Sequence, residues 1–139
     1  MDFPLGNHPF AFKAAEAAAC AQAGGKYWEM HDLLFANYTK LQPENLPGYA
    51  QQVGLDQGQF ASCLEQGQKE RVNGDLLTAR RVGVSATPTF LLGWVDDTGK
   101  VKVTKQLRGA QPITAFKAMI EDMLEKGPDG DAKADAAGG

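Results

Sequence analysis

Sulfur is the first chemistry the sequence offers. The chain holds two cysteines, Cys20 and Cys63, 43 positions apart. A thiolate can attack a disulfide or ligate a soft metal, but this spacing fits neither a zinc knuckle nor a local redox motif. Three readings stay open. The cysteines can be buried free thiols, which behave as small hydrophobes. They can be a redox-active pair, although neither opens a helix or has a close basic neighbour to lower its pKa. They can form a long-range structural disulfide between two helices, the reading favoured for an oxidising compartment. His8 and His31 are read as structural: His31 lies near Glu29 and Asp32, but no third ligand recurs at helical spacing, so no metal site is expected. The sequence has no Gly-rich phosphate loop, no Ser/His/Asp set on a nucleophile elbow and no carboxylate pair in an apolar setting. No catalytic residue and no cofactor follow from residue types alone. Ala86-Thr87-Pro88, on the same grounds, reads as an ordinary trans proline starting a strand, since only about 5–6% of X-Pro bonds in folded proteins are cis.

The elements around these residues follow from periodicity and punctuation. Alanine dominates the stretch from Pro9 to Gln22, predicting a slim helix that lets neighbours approach closely, ended by Gly24-Gly25. A second helix is expected from about Lys26 to Asn37, with Tyr27, Met30, Leu34 and Tyr38 on one stripe and Trp28 and Phe35 beside it. Tyr27, Trp28 and Phe35 are expected to pack this helix against a sheet, because aromatics at such spacing usually belong to a core. Gln42 to Pro47 reads as a connector into a short helix around Tyr49 to Val53. Asp56 is a suitable N-cap for a helix carrying Phe60, Cys63 and Leu64. Lys69 to Val82 predicts a longer helix with a solvated charged face. The texture changes at Gly83. Thr89 to Val95 and Lys100 to Leu107, joined by Asp96-Asp97-Thr98-Gly99, read as a β-hairpin with alternating lysines on a wet face. Pro112 opens a last helix with Ile113, Phe116, Ile120, Met123 and Leu124 on a 3.6-residue period.

Composition narrows the function classes. At 139 residues, 43% hydrophobic and 22% charged, the chain is long enough for one domain and reads as soluble and globular. A net charge of −3 and a pI of about 5.3 argue against nucleic acid or an anionic membrane as partner. No apolar run approaches the ~18–20 residues that span a bilayer, so no membrane insertion is expected. Met1-Asp2-Phe3-Pro4 shows no basic leader with an apolar stretch behind it. Residues 127–139 carry no large apolar side chain and are expected to form a disordered tail.

Several segments, in order, resemble the DsbA-like branch of the thioredoxin superfamily. They are Asp2-Phe3-Pro4-Leu5 with His8-Pro9, Gly25-Lys26-Tyr27-Trp28-Glu29-Met30-His31-Asp32 leading into Leu33-Leu34-Phe35, Gly54-Leu55-Asp56 with Phe60, Gly83-Val84-Ser85-Ala86-Thr87-Pro88-Thr89-Phe90, and Gly109-Ala110-Gln111-Pro112 with Phe116. Gly24 and Leu92 depart from the pattern at turn positions only. The family's Cys-x-x-Cys motif, where a helix N-terminus stabilises a reactive thiolate, is missing from this chain.

The resemblance implies an α/β, thioredoxin-like fold with a DsbA-type helical insertion, incomplete at the N-terminus. Residues 1–126 would form the domain, with 9–82 the insertion and 83–126 the cis-proline loop, hairpin and final helix. It implies that Thr87-Pro88 is cis and that Ala86, Thr87 and Pro88 line a groove for extended or unfolded polypeptides, which add a strand through backbone groups. It implies thiol-disulfide oxidoreductase ancestry in a periplasmic or other extracytoplasmic setting, with this chain inactive for want of the Cys-x-x-Cys motif. The rival readings are a non-catalytic, chaperone-like peptide-binding module and an inactive truncation product. Uncovered strand edges and apolar patches would favour self-association.

Overall fold

The computed structural model describes residues 1–128, so the expected tail lies outside the described residues from 129 onward. The chain forms two compact units, Met1–Gly83 and a second beginning at Val84.

The first unit is helical: α1 (Ala11–Ala23), α2 (Tyr27–Ala36), a 3₁₀ turn at Pro43–Asn45, α3 (Leu46–Gln52), α4 (Gln57–Gln66) and α5 (Lys69–Arg81). Helix α1 packs against α2, α3, α4 and α5. It can do so because Ala14, Ala17, Ala18 and Ala21 keep it thin, and these residues share a core with Cys20, Met30, Leu34, Leu46, Tyr49, Ala50 and Phe60. Small side chains let helix axes draw together, and the larger neighbours fill the remaining space. Helix α3 begins earlier than the expected Tyr49. Leu46 takes its first position and Pro47 its second, within the first turn, where a missing N–H costs no intrahelical bond. Asp56 caps α4 as its residue type predicts: its Oδ1 accepts the Gln59 N–H at 2.7 Å.

The aromatic expectation for α2 is corrected. Trp28 is 68% and Phe35 69% exposed, and Tyr38 is also exposed. Only Met30 and Leu34, one helical turn apart, are buried on this helix. Trp28, His31 and Phe35 fall on a separate stripe and touch one another instead, with ring centroids 5.3 and 4.7 Å apart. Helix α2 stops at Ala36, so Tyr38 leaves the helical stripe altogether.

The second unit is an antiparallel hairpin of β1 (Thr89–Val95) and β2 (Val101–Arg108), followed by α6 (Ile113–Lys126). Asp96 organises the turn: its Oδ1 accepts from the Thr98 hydroxyl at 2.6 Å, the Thr98 N–H at 2.8 Å and the Lys100 N–H at 3.0 Å. These donors stabilise the charged form and hold the carboxyl below its usual range. The register slips between Leu92 and Gly93, at a bulge that leaves Thr104 without an opposite partner. Helix α6 lies against the hairpin through Phe116 on Phe90, edge to face at 4.8 Å, and Met123 beside Thr104. Val84, Leu107 and Met123 are buried.

Val101 and Val103 are exposed as well as Lys100 and Lys102, because α6 lies against the face bearing Phe90 and Lys105 and leaves the valine face open. The apolar period of α6 is also divided: Phe116 and Met123 face the hairpin, while Ile113, Ile120 and Leu124 are exposed. Among the described residues no helix is long and apolar enough to cross a membrane.

Candidate functional site

Residues 85–88, the segment leading into β1, are all exposed. The Thr87–Pro88 peptide bond is cis. Two hydrogen bonds shape this loop from below. The Thr89 hydroxyl donates to the Ala86 carbonyl at 2.6 Å, and the Gly109 N–H donates to the Pro88 carbonyl at 2.8 Å. Gly109 has φ of 79°, a left-handed conformation that a side chain would strain, and the Gln111 amide supports the same corner by donating to the Arg108 carbonyl at 2.8 Å. The structure therefore presents Ala86, Thr87 and Pro88 together on a braced, solvent-facing loop at the head of a strand. Such a loop offers backbone donors and acceptors but no nucleophile.

The two cysteines sit in the other unit. Cys20 on α1 and Cys63 on α4 are joined by a disulfide with Cα atoms 5.9 Å apart. Cys20 is buried, and the Gln68 amide approaches Cys63 Sγ at 3.3 Å. The sequence has only these two cysteines, so the chain holds no free thiol.

Sequence reasoning passed over Glu16, which is 2% exposed in the alanine helix. Its Oε1 accepts the Gln68 N–H at 2.7 Å, just ahead of α5, and its Oε2 lies 3.1 Å from Lys13 Nζ. Lys13 Nζ also donates to the Leu64 carbonyl at 2.8 Å near the end of α4. The pair thus ties α1 to the α4–α5 junction, close to the disulfide in sequence. The signal was a carboxylate set among alanines, where a lone charge must find partners to be buried.

An open cleft of about 470 Å³ lies on the first unit, lined by Gln22, Gly25, Tyr27, Trp28, Arg71 and Asp75 with Met1. Its polar groups are already committed to one another. The Tyr27 hydroxyl donates to Asp2 Oδ1 at 2.9 Å, the Asp2 N–H donates to Asp75 Oδ2 at 2.8 Å, and the Arg71 guanidinium sits 5.7 Å from the Tyr27 ring centroid. Burial first, then the Asp2 charge and hydrogen bond, push the Tyr27 hydroxyl up to about 12. This network staples the N-terminal segment to α2 and α5. His31 Nδ1 contacts Asp32 Oδ1 at 2.9 Å, and among the described residues no three His, Cys, Asp or Glu side chains gather as metal ligands.

Comparison with known proteins adds the lineage. The Na(+)/H(+) antiporter NhaA of Herminiimonas arsenicoxydans is 38% identical over 118 residues, 84% of this chain and 17% of that protein. NhaA 1 of Salinispora arenicola is 43% identical over 86 residues, 61% of this chain and 13% of that protein. NhaA 1 of Mycolicibacterium vanbaalenii is 31% identical over 113 residues, 78% of this chain and 18% of that protein. The chain thus spans less than a fifth of the length of these relatives. No solved structure matches it. A family model described as Thioredoxin matches residues 1–122, and with an α/β order of helices, hairpin and closing helix beneath that match, the chain belongs to the thioredoxin family.

Proposed function

We propose that this chain is the polypeptide-docking part of a DsbA-like thiol-disulfide exchange system acting in an oxidising, extracytoplasmic compartment. The observation that carries the reading is the braced, exposed Ala86-Thr87-Pro88 loop in a chain of the thioredoxin family. An extended substrate docks along the backbone of this loop, as a strand adds to an edge, with little demand on its side chains. The exchange itself needs a thiolate to attack a substrate sulfur and a second thiol to resolve the mixed disulfide. Both sulfurs of this chain are already bonded to each other, so it docks and does not exchange. The Cys20–Cys63 bond supports the oxidising compartment, since such bonds persist where thiols are not kept reduced.

A second reading, a non-catalytic docking module serving beside a membrane transporter, is favoured by the relatives named as antiporters, which share most of this chain's length as a small part of their own. Both readings expect the purified chain to leave insulin disulfides intact at the background rate while binding an unfolded, carboxymethylated polypeptide. Thr89→Val, which removes the hydroxyl that pins the Ala86 carbonyl, should weaken that binding severalfold with little change in melting temperature, as one exposed hydrogen bond contributes about 0.5–1.5 kcal/mol. Turnover abolished by Cys20→Ser would overturn the docking assignment in favour of a redox-active pair. Adding a Cys-x-x-Cys-bearing thioredoxin segment upstream separates the readings, because only the exchange reading expects turnover to appear.

A further inference from the structure

The buried carboxylate of the first unit lies against its disulfide. Glu16 and Cys20 are four residues apart on α1, so they share one face of the helix with Cβ atoms about 5–6 Å apart. Gln68 joins them to the far sulfur: its N–H donates to Glu16 Oε1 at 2.7 Å, and its side-chain amide reaches Cys63 Sγ at 3.3 Å. Gln68 is also the N-cap of α5, so the Glu16 carboxylate rests on the positive end of that helix. The backbone makes room for it. Gly67 has φ of 78°, and a Cβ there would come to 3.0 Å from Glu16 Oε1. Lys13 completes the cluster, bonded to Glu16 and to the Leu64 carbonyl, while Lys69 at the start of α5 is exposed.

We propose that Glu16 occupies the anion seat at the start of α5 and thereby keeps the Cys20–Cys63 bond out of thiol-disulfide exchange. Reduction by a dithiol takes two steps. A thiolate of the reductant attacks Cys63 Sγ, the half-buried sulfur, and the electron pair of the S–S bond leaves on the buried Cys20 Sγ. The reductant's second thiolate then attacks its own sulfur in the mixed disulfide, which closes the reductant's disulfide and expels Cys63 as a thiolate. Two protons from the reductant's thiols, passed through solvent, convert the two thiolates to thiols.

Each step puts negative charge on a sulfur of this chain, and the surroundings disfavour it there. Cys20 and Cys63 both lie in the last turn of their helices, α1 and α4, where the carbonyl ends make the local field negative. A reactive cysteine sits at the opposite end, where helix N–H groups stabilise the thiolate. The helix N-terminus that Gln68 brings to Cys63 is that of α5, and it already holds a carboxylate. The guard is therefore a charge and not a shape. A glutamine at position 16 can accept the same Gln68 hydrogen bond, yet it leaves the start of α5 and the Lys13 ammonium available to a thiolate. The cluster belongs wholly to the first unit, so the proposal is independent of polypeptide docking at residues 86–88.

The test is the rate at which excess dithiothreitol reduces the oxidised full chain, followed by intact mass after an alkylating quench. Glu16→Gln should speed reduction by about tenfold, the effect of removing one charge a few ångströms from sulfurs that become negative. Its helical circular dichroism should match the wild type. Lys13→Gln should be reduced no faster than the wild type, because the carboxylate stays on α5. A purely structural tie gives a different pattern, since Lys13 and Glu16 would then act as one clasp and either substitution would loosen the junction and speed reduction alike. Equal acceleration by the two variants overturns the proposal, and so does an unchanged rate in Glu16→Gln. If Glu16→Gln loses its helical signal, Lys13→Gln decides alone: acceleration overturns the guard, and a rate at or below that of the wild type upholds it.

Discussion

Tyr27 shows how one side chain reports on its surroundings. Its ring is held between α5 and the N-terminal segment, with the hydroxyl bonded to Asp2 and the Arg71 guanidinium over the ring face. Burial and the neighbouring carboxylate disfavour the phenolate, while Arg71 favours it, and the first two prevail to raise the pKa from 10.0 to about 12. A raised pKa means that the folded state prefers the protonated group. The resulting stabilisation is complete below about 10 and is lost as the pH climbs through about 12. Because the ring is only half-buried, solvent screening keeps the effect modest. Ultraviolet difference titration, with Tyr27→Phe to assign the signal, should find one phenol titrating late. Asp2→Asn should bring it earlier, and an unchanged midpoint would leave burial as the whole cause.

At the scale of elements, the hairpin depends on Gly93. It sits at the register slip, where a Cβ would collide with the Lys102 carbonyl of the facing strand. Any side chain forces the strands apart or straightens the bulge, and the strain falls on backbone, which cannot move aside as a side-chain tip can. Gly93→Ala should therefore destabilise the second unit by about 1–3 kcal/mol. Loss of amide protection in β1 and β2, without matching loss in α1, would locate the damage. Full retention of hairpin protection would contradict the close approach. Helix α1 illustrates the opposite use of small residues: its alanines bring partners near without a special backbone conformation, and helix propensity and packing point the same way.

For the molecule as a whole, the Cys20–Cys63 bridge is the main covalent constraint, closing a loop of 43 positions across the first unit. In the chain-entropy account a loop of this length stabilises by roughly 4 kcal/mol, mostly by restricting the unfolded chain. Replacing both cysteines by serine should lower the urea midpoint of helical unfolding accordingly, compared with the oxidised protein. A shift near zero would mean that the alanine-centred core holds the helices equally well without the bridge. Glu16 and Lys13 act at the same junction of α1, α4 and α5, so the bridge and the ion pair are neighbours in one piece of architecture and their losses should not simply add.

Local rules were enough for most element types and their order. Alanine density, the Asp56 cap and the turn residues 96–99 each act within a few positions, and the elements they predict are present with ends shifted by a few residues. The ordered segments from Asp2 to Phe116 were likewise enough for the thioredoxin lineage, which the match over residues 1–122 shows. Periodicity could not say which apolar stripe would find a partner. Trp28, Phe35, Ile113, Ile120 and Leu124 have the spacing of core residues, yet they are exposed, because burial needs a second surface and spacing specifies only the first. The Cys20–Cys63 bond was one of the readings open to the sequence, since two cysteines allow a single pairing, whereas Glu16 finds one partner a helical turn away at Lys13 and the other, Gln68, 52 positions along the chain. Over such distances composition carries no information. Tertiary packing of the first unit decided those contacts, and the hydrogen bonds from Thr89 and Gly109 decided how Ala86, Thr87 and Pro88 are presented.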